Sequence, residues 1–72
     1  MDTLRTLRLQ SGKTVKEVAA ALNVTQRAVF NYEYGLRRIS LEQIQEFAKL
    51  YGCSESEIIS AALNSLKSPK DN

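Results

Sequence analysis

The sequence contains no histidine and a single cysteine, Cys53, among its 72 residues. Protein zinc sites draw mainly on His and Cys side chains, so this composition argues against a metal site and against histidine-based catalysis. One cysteine cannot form an internal disulfide, and Cys53 is better explained as a small core residue than as a reactive thiol. We therefore expect no metal and no cofactor.

Long apolar stretches are also missing. No run approaches the ~18 apolar residues that a membrane-spanning helix needs, and the first residues lack the basic segment and apolar stretch of a secretion signal. The sequence offers no paired nucleophile and base. We expect a cytoplasmic protein without a membrane partner or enzymatic activity, and no feature indicates a small-molecule ligand.

What the chain does contain is typical of one small globular domain. Its residues are 43% hydrophobic and 25% charged, and a domain of this size buries about 60% of its unfolded surface. Residues 1–40 carry seven Lys or Arg against three acidic residues, whereas residues 41–72 carry three against five. A polyanion bound to the first part would explain this asymmetry, although a chance distribution of solvated charges is the alternative.

The centre of the chain, Thr14 to Gly35, contains two short helical patterns separated by three or four residues. Thr14 is followed three positions later by Glu17, a capping box that begins a helix. That helix is predicted to end at Asn23, which tolerates a left-handed backbone. Its inner face consists of three apolar residues, Val18, Ala19 and Leu22.

The next helix begins after Thr25, whose hydroxyl caps it, and ends near Gly35. Val29 and Tyr32 lie three positions apart and form its inner face, while Val24 is predicted to be buried in the turn. Ala19 is placed where the two helices cross, because a small side chain lets two helix axes approach closely. The pattern predicts a helix-turn-helix.

Two further helices flank this pair. Asp2 or Thr3 caps a first helix that carries Leu4 and Leu7 and ends at Gly12. Ser40 and Gln43 form a second capping box and begin a fourth helix, which Gly52 ends. Its inner face consists of Leu41, Ile44, Phe47, Ala48 and Tyr51.

A fifth helix begins at the capping box of Ser54 and Glu57. Its apolar arc, about 140° wide, consists of Ile58, Ile59, Ala62, Leu63 and Leu66. Such an arc is broad for a terminal helix, so Leu63 and Leu66 are candidates for contact with a second copy, unless the chain itself covers all five. The sequence thus predicts an all-α, compact five-helix bundle over residues 1–66, followed by a disordered polar tail, residues 67–72.

These residues and their spacing resemble the bacterial and phage helix-turn-helix proteins of the lambda and 434 repressor and Cro type. The resemblance covers roughly residues 4–60, and Val15 stands where that family usually has Gln. It implies a lambda repressor-like DNA-binding domain. It also implies that Arg8 pairs with Glu33 and ties the first helix to the third; the alternative is two independent surface charges. In the central pair the matching residues are Thr14, Glu17, Val18, Ala19, Leu22, Val24, Thr25, Gln26, Val29, Glu33 and Gly35.

The exposed face of the third helix is predicted to present Gln26, Arg27, Phe30 and Asn31. Gln and Asn hold adenine, and Arg holds guanine, through two hydrogen bonds each. The resemblance implies that Gln26, Arg27 and Asn31 contact bases. Phe30 either touches a thymine methyl group or packs against a neighbouring side chain.

Phosphate contacts are expected at the start of the second helix and in the loop after the third. The residues concerned are Thr14, with the amides that follow it, and three cations, Lys16, Arg37 and Arg38. The alternative for the three cations is an ordinary solvated surface.

The sequence therefore favours a sequence-specific transcriptional regulator, a repressor of phage or bacterial type. Its predicted partner is double-stranded DNA, bound as a homodimer on two half-sites about one helical turn apart. The alternative is a protein-interaction module on the same fold, an antitoxin or an antagonist of another regulator. The additional apolar residues Leu9, Val15 and Phe30 favour that alternative slightly.

Overall fold

The computed structural model describes residues 2–67, and within that range every element of regular secondary structure is a helix. The helices are α1 (Leu4–Gln10), α2 (Val15–Leu22), α3 (Gln26–Glu33), α4 (Leu41–Tyr51) and α5 (Glu55–Lys67). The predicted all-α, five-helix architecture is confirmed. Lys67 is the last residue of α5, and Met1 and residues 68–72 of the predicted tail lie outside the described residues. None of these helices is long and apolar enough to cross a membrane.

Side chains just before the helices fix where they begin. The Thr14 hydroxyl accepts a hydrogen bond from the Glu17 amide at 3.1 Å, and the Glu17 carboxylate accepts one from the Thr14 amide at 2.8 Å. The hydrogen bonds of the Glu17 carboxylate with the Thr14 amide and with the Thr14 side chain lower the pKa of the Glu17 carboxyl, because they favour its charged form. The predicted boxes of Ser40 with Gln43 and Ser54 with Glu57 form in the same way.

Of the two residues proposed to cap α1, Thr3 does so, and Thr6 closes the box. The exit of α2 has the predicted form: Asn23 adopts a left-handed backbone with φ of 58°. Asn permits this conformation because its short polar side chain bonds locally.

All five helices contribute to one core. Tyr32 of α3 meets Phe47 of α4 edge to face, with ring centroids 6.1 Å apart. Cys53 packs half-buried against this core, where burial raises the pKa of its thiol, as suits an inert packing residue. The buried apolar residues are Leu4, Leu7, Val18, Ala19, Leu22, Val29, Tyr32, Phe47, Ala48, Ile58 and Ala61.

One expectation about the inner faces was wrong. Leu41 is 82% exposed, because it is the first residue of α4 and precedes the part of that helix that packs on the core. The buried edge of α5 consists of Ile58, Ala61 and Ser65, so only one member of the predicted apolar arc is fully buried. The sequence did not predict the burial of Ser65, because its side chain carries a polar hydroxyl.

Ser65 is tolerated in the core because its hydroxyl both donates and accepts a hydrogen bond. It donates to the Ala61 carbonyl at 2.9 Å and accepts from the Leu4 amide at 3.1 Å, which joins the end of α5 to the start of α1. The backbone of Ser65 and Leu66 also lies directly against Gly35. A Cβ atom on Gly35 would stand 2.6 Å from the Ser65 carbonyl oxygen and 2.9 Å from the Leu66 Cα.

A buried ion pair joins α1 to α3. Arg8 Nε donates to Glu33 Oε2 at 2.6 Å, and Arg8 Nη2 donates to Glu33 Oε1 at 3.3 Å. The two side chains are 10% and 2% exposed, so they are not two independent surface charges. Arg8 Nη1 also donates to the Lys13 carbonyl in the loop before α2, at 3.2 Å. The hydrogen bond to Glu33 raises the pKa of the Arg8 guanidinium.

We predict that Arg8→Ala lowers the free energy of unfolding by about 3 kcal/mol or more, because it leaves the Glu33 carboxylate buried without its partner. A denaturant titration measures this change. Arg5→Ala is the matched control, since Arg5 lies exposed on the same helix and its loss should change stability by no more than about 0.5 kcal/mol. Equal midpoints for the two variants would contradict the role of the pair.

A second prediction concerns Gly35. Gly35 and Gly12 have similar backbone angles, φ of 73° and 70°, but no atom lies within 4 Å of a Cβ built on Gly12. Both Gly→Ala changes therefore carry the same backbone strain, and only Gly35→Ala adds a clash with α5. Thermal and urea unfolding should show Gly35→Ala to be less stable than Gly12→Ala by about 1–3 kcal/mol. Similar losses would mean that the loop moves away from α5 without cost.

Candidate nucleic-acid interface

Helices α2 and α3 form the predicted helix-turn-helix. They are joined by Asn23, Val24 and Thr25, and the Val24 amide donates to the Ala19 carbonyl at 3.0 Å, which closes the turn. Val24 is half-buried rather than fully buried. Ala19 is 5% exposed in the core. The small side chain therefore lies at the packed side of α2, as a close approach of the two helices requires.

The two sides of α3 differ sharply. Val29, Tyr32 and Glu33 are buried, and each is held from a different direction: Val29 by the core, Tyr32 by Phe47, and Glu33 by Arg8. The Tyr32 hydroxyl also accepts a hydrogen bond from Gln43 Nε2 at 2.6 Å, which links α3 to the start of α4. Because its buried side is fixed in this way, α3 presents its other side as a rigid surface.

That other side carries the predicted base-contacting residues. Gln26 and Arg27 occupy the first two positions of α3 and are exposed, and Asn31 is half-buried one turn further along. The structure therefore brings the three polar side chains together on the solvent side of one short helix. An amide, a guanidinium and a second amide offer the donors and acceptors that base edges match.

Phe30 lies on the same side, with its ring stacked on Tyr34. The two ring centroids are 6.0 Å apart and the planes differ by 9°. Phe30 thus does pack against a neighbour, yet it stays 39% exposed, and Tyr34 is 53% exposed. Sequence reasoning did not single out Tyr34, although its spacing of four residues from Phe30 is the signal that places two helical side chains together.

At the start of α2, some hydrogen-bonding groups are used in the capping box and others are free. The Thr14 amide and the Thr14 hydroxyl are both used within the capping box with Glu17. The amides of Val15 and Lys16 precede the first intrahelical hydrogen bond of α2, and the Lys16 side chain is exposed. These donors can hold an anion together with the positive end of the helix dipole.

Arg37 and Arg38 follow α3 in the loop before α4 and are both exposed. They line a surface cleft of about 190 Å³, together with residues of α5 that include Leu63 and Leu66. Leu63 is 53% exposed and Leu66 is 38% exposed, so the chain does not cover the whole apolar arc of α5 by itself. Arg37 and Arg38, which were predicted to contact phosphate, therefore lie near Leu63 and Leu66, which were predicted to contact a second copy.

In a comparison with protein families, a family model described as helix-turn-helix aligns with residues 4–58. A search of curated proteins and a search of solved structures found no match. The matched segment contains all of α1 to α4 and the start of α5, and hence the complete α2–α3 pair and the Arg8–Glu33 ion pair. The match covers well over half of the chain, in agreement with the resemblance of its residues. The chain therefore belongs to the Cro/C1-type helix-turn-helix family of DNA-binding transcriptional regulators.

Proposed function

We propose that this protein is a sequence-specific regulator, of the repressor type, that binds operator DNA with α3 in the major groove. The observation that carries the proposal is the exposed polar side of α3, with Gln26 and Arg27 in its first turn and Asn31 behind them. The first turns of a recognition helix are the part that reaches base edges. The buried opposite side of α3 fixes the angle at which these side chains are presented.

Each of these residues has a distinct task in this proposal. Gln26 and Asn31 each hold an adenine, and Arg27 holds a guanine, through two hydrogen bonds. Phe30 touches a thymine methyl group, and its stacking on Tyr34 restricts the ring before DNA is bound. A side chain that is already ordered loses less conformational entropy on binding.

Phosphate groups are held on either side of these contacts. Thr14 and Lys16 contact the backbone at the start of α2, and Arg37 and Arg38 contact it after α3. Such contacts position the protein and add affinity without reading sequence, and they make binding fall with salt.

The protein binds as a homodimer in this proposal, with Leu63 and Leu66 at the contact between copies. Two half-sites about one helical turn apart would then be read at once. The support is the exposure of these two leucines on a helix that ends close to the loop of Arg37 and Arg38.

A second function is a protein-interaction module, an antitoxin or an antagonist of another regulator. Leu9 is 52% exposed and Leu36 is 74% exposed, and neither belongs to the base-contacting or phosphate-contacting sets. Val15, by contrast, packs partly against the core and is only half-exposed. Binding of random duplex DNA with a steep salt dependence would separate the DNA-binding function from this one.

The proposal predicts two classes of DNA-binding variant. Gln26→Ala, Arg27→Ala or Asn31→Ala should each lose about 1–3 kcal/mol on the preferred duplex and relax the preference at one base position. Arg37→Ala or Arg38→Ala should weaken binding to all duplexes alike, and each should reduce the salt slope by about one counterion. Titrations against selected and scrambled duplexes at several salt concentrations measure both effects.

The selected duplex comes from a randomised-DNA selection with the wild-type protein. Glu42→Gln, at an exposed position of α4, is the control variant for differences in protein preparation and folding. The assignment fails if Arg37→Ala shifts the base preference while Gln26→Ala and Asn31→Ala leave it unchanged. A wild-type protein with no preference among duplexes would overturn the proposed function itself.

The homodimer generates a separate prediction. Replacing both Leu63 and Leu66 by Lys should give a folded monomer with weakened operator binding, because each half-site would then bind one chain alone. Analytical ultracentrifugation with and without DNA measures the assembly. A wild-type chain that remains monomeric both at high concentration and on the operator would contradict the prediction.

A further inference from the structure

Phe30 and Tyr34 form an aromatic pair in the middle of the exposed side of α3. Counted from Gln26 at about 100° per residue, Phe30 lies at about 40° around the helix and Tyr34 at about 80°. Asn31 lies at about 140°, and the buried Tyr32 lies on the opposite side, at about 240°. Two large aromatic rings are thus presented to solvent between the polar residues proposed to contact bases.

The backbone around Tyr34 is held on both sides. The Tyr34 amide donates to the Phe30 carbonyl at 2.9 Å, which ends α3. The next residue, Gly35, lies directly against the backbone of Ser65 and Leu66, so α5 supports the chain just after Tyr34. The Tyr34 ring therefore projects from a fixed part of the fold.

This fixed ring restricts the ring of Phe30. Side chains on a helix lean towards its N-terminus, so Tyr34 leans over Phe30, and Phe30 leans towards the first turn of α3. The two rings are offset and nearly parallel, with planes 9° apart and centroids 6.0 Å apart. Phe30 remains 39% exposed, beside the turn that carries Gln26 and Arg27.

We propose that this aromatic pair recognises the C5-methyl group of a pyrimidine in the major groove, with Phe30 as the contacting residue and Tyr34 as its positioning residue. The inference rests on the sequence-specific DNA binding proposed above, and it adds Tyr34 and the chemical group that is recognised. Thymine presents a C5-methyl group in the major groove. Because 5-methylcytosine carries a methyl group at the same ring position, binding also responds to cytosine methylation.

A phenyl ring suits this task because it offers apolar contact without a donor or an acceptor. Phe30 therefore cannot distinguish thymine from 5-methylcytosine by their exocyclic oxygen or amino group, whereas Gln26 and Arg27 read such groups. The methyl group should consequently contribute the same affinity on either base. Because Tyr34 restricts the Phe30 ring before binding, less conformational entropy is lost when the methyl group is contacted.

The methyl effect is defined as the ratio of the dissociation constants of two duplexes that differ by one C5-methyl group. Each thymine of the selected duplex is replaced in turn by uracil, which removes only that group. At least one replacement should weaken wild-type binding about fourfold, the contribution of burying one methyl-sized group. At the same position, a pair of 5-methylcytosine with guanine should bind about fourfold more tightly than a pair of cytosine with guanine.

Variants of the pair separate contact from positioning. Phe30→Ala and Tyr34→Ala should each reduce the methyl effect below about twofold, whereas Tyr34→Phe, which keeps the ring, should leave it at about fourfold. Tyr34→Ala should bind the uracil duplex within about twofold of wild type, because only the methyl contact is lost. A general loss of folding would weaken binding to both duplexes.

Leu41→Ala is the matched control, because it removes an exposed apolar side chain at the start of α4 and should leave the methyl effect unchanged. The inference is overturned if no uracil replacement weakens wild-type binding, or if 5-methylcytosine binds no better than cytosine. It is also overturned if Phe30→Ala or Tyr34→Ala keeps the methyl effect, or if Tyr34→Phe loses it. Gln26→Ala on the selected duplexes tests the proposed function separately, because its effect on base preference does not depend on the methyl group.

Discussion

Arg8 and Glu33 place opposite charges side by side in a region that water hardly reaches, and the position of α3 depends on them. Neither charge is tolerable there alone, so α1 and α3 are held in the one arrangement in which both hydrogen bonds form. The third donor of Arg8 binds the Lys13 carbonyl and fixes the loop that leads into α2. One guanidinium therefore sets the relation between the first three helices.

The constraint on α3 explains how a helix of eight residues can present a defined surface. A helix this short is not stable by itself in water, and its order comes from packing. Its buried side is held by the core, by the Tyr32 contact with Phe47 and by Glu33. Residues on the exposed side can therefore change without loss of the fold. A surface that recognises a DNA sequence needs this property.

The end of α5 is a second place where separate parts of the fold are joined. Ser65 binds the start of α1 through its hydroxyl and supports Gly35 through its backbone. The loop that carries Arg37 and Arg38 therefore lies against the helix that carries Leu63 and Leu66. In the function proposed above, this proximity gives a physical route by which contact between two copies would influence contact with DNA, because the residues proposed for the two contacts line the same cleft.

The sequence by itself determined the helix boundaries, the break between α2 and α3, and the polar residues on the exposed side of α3. These are local properties: a capping side chain lies three residues from its partner, and helical periodicity separates Val29 and Tyr32 from Gln26 and Arg27. Tertiary structure decided the burial of Ser65, the exposure of Leu41 and the close approach of Gly35 to α5. Ser65 and Gly35 each contact a residue more than 20 positions away along the chain, whereas Leu41 is largely exposed to solvent. Helical periodicity does not encode such distant contacts or their absence.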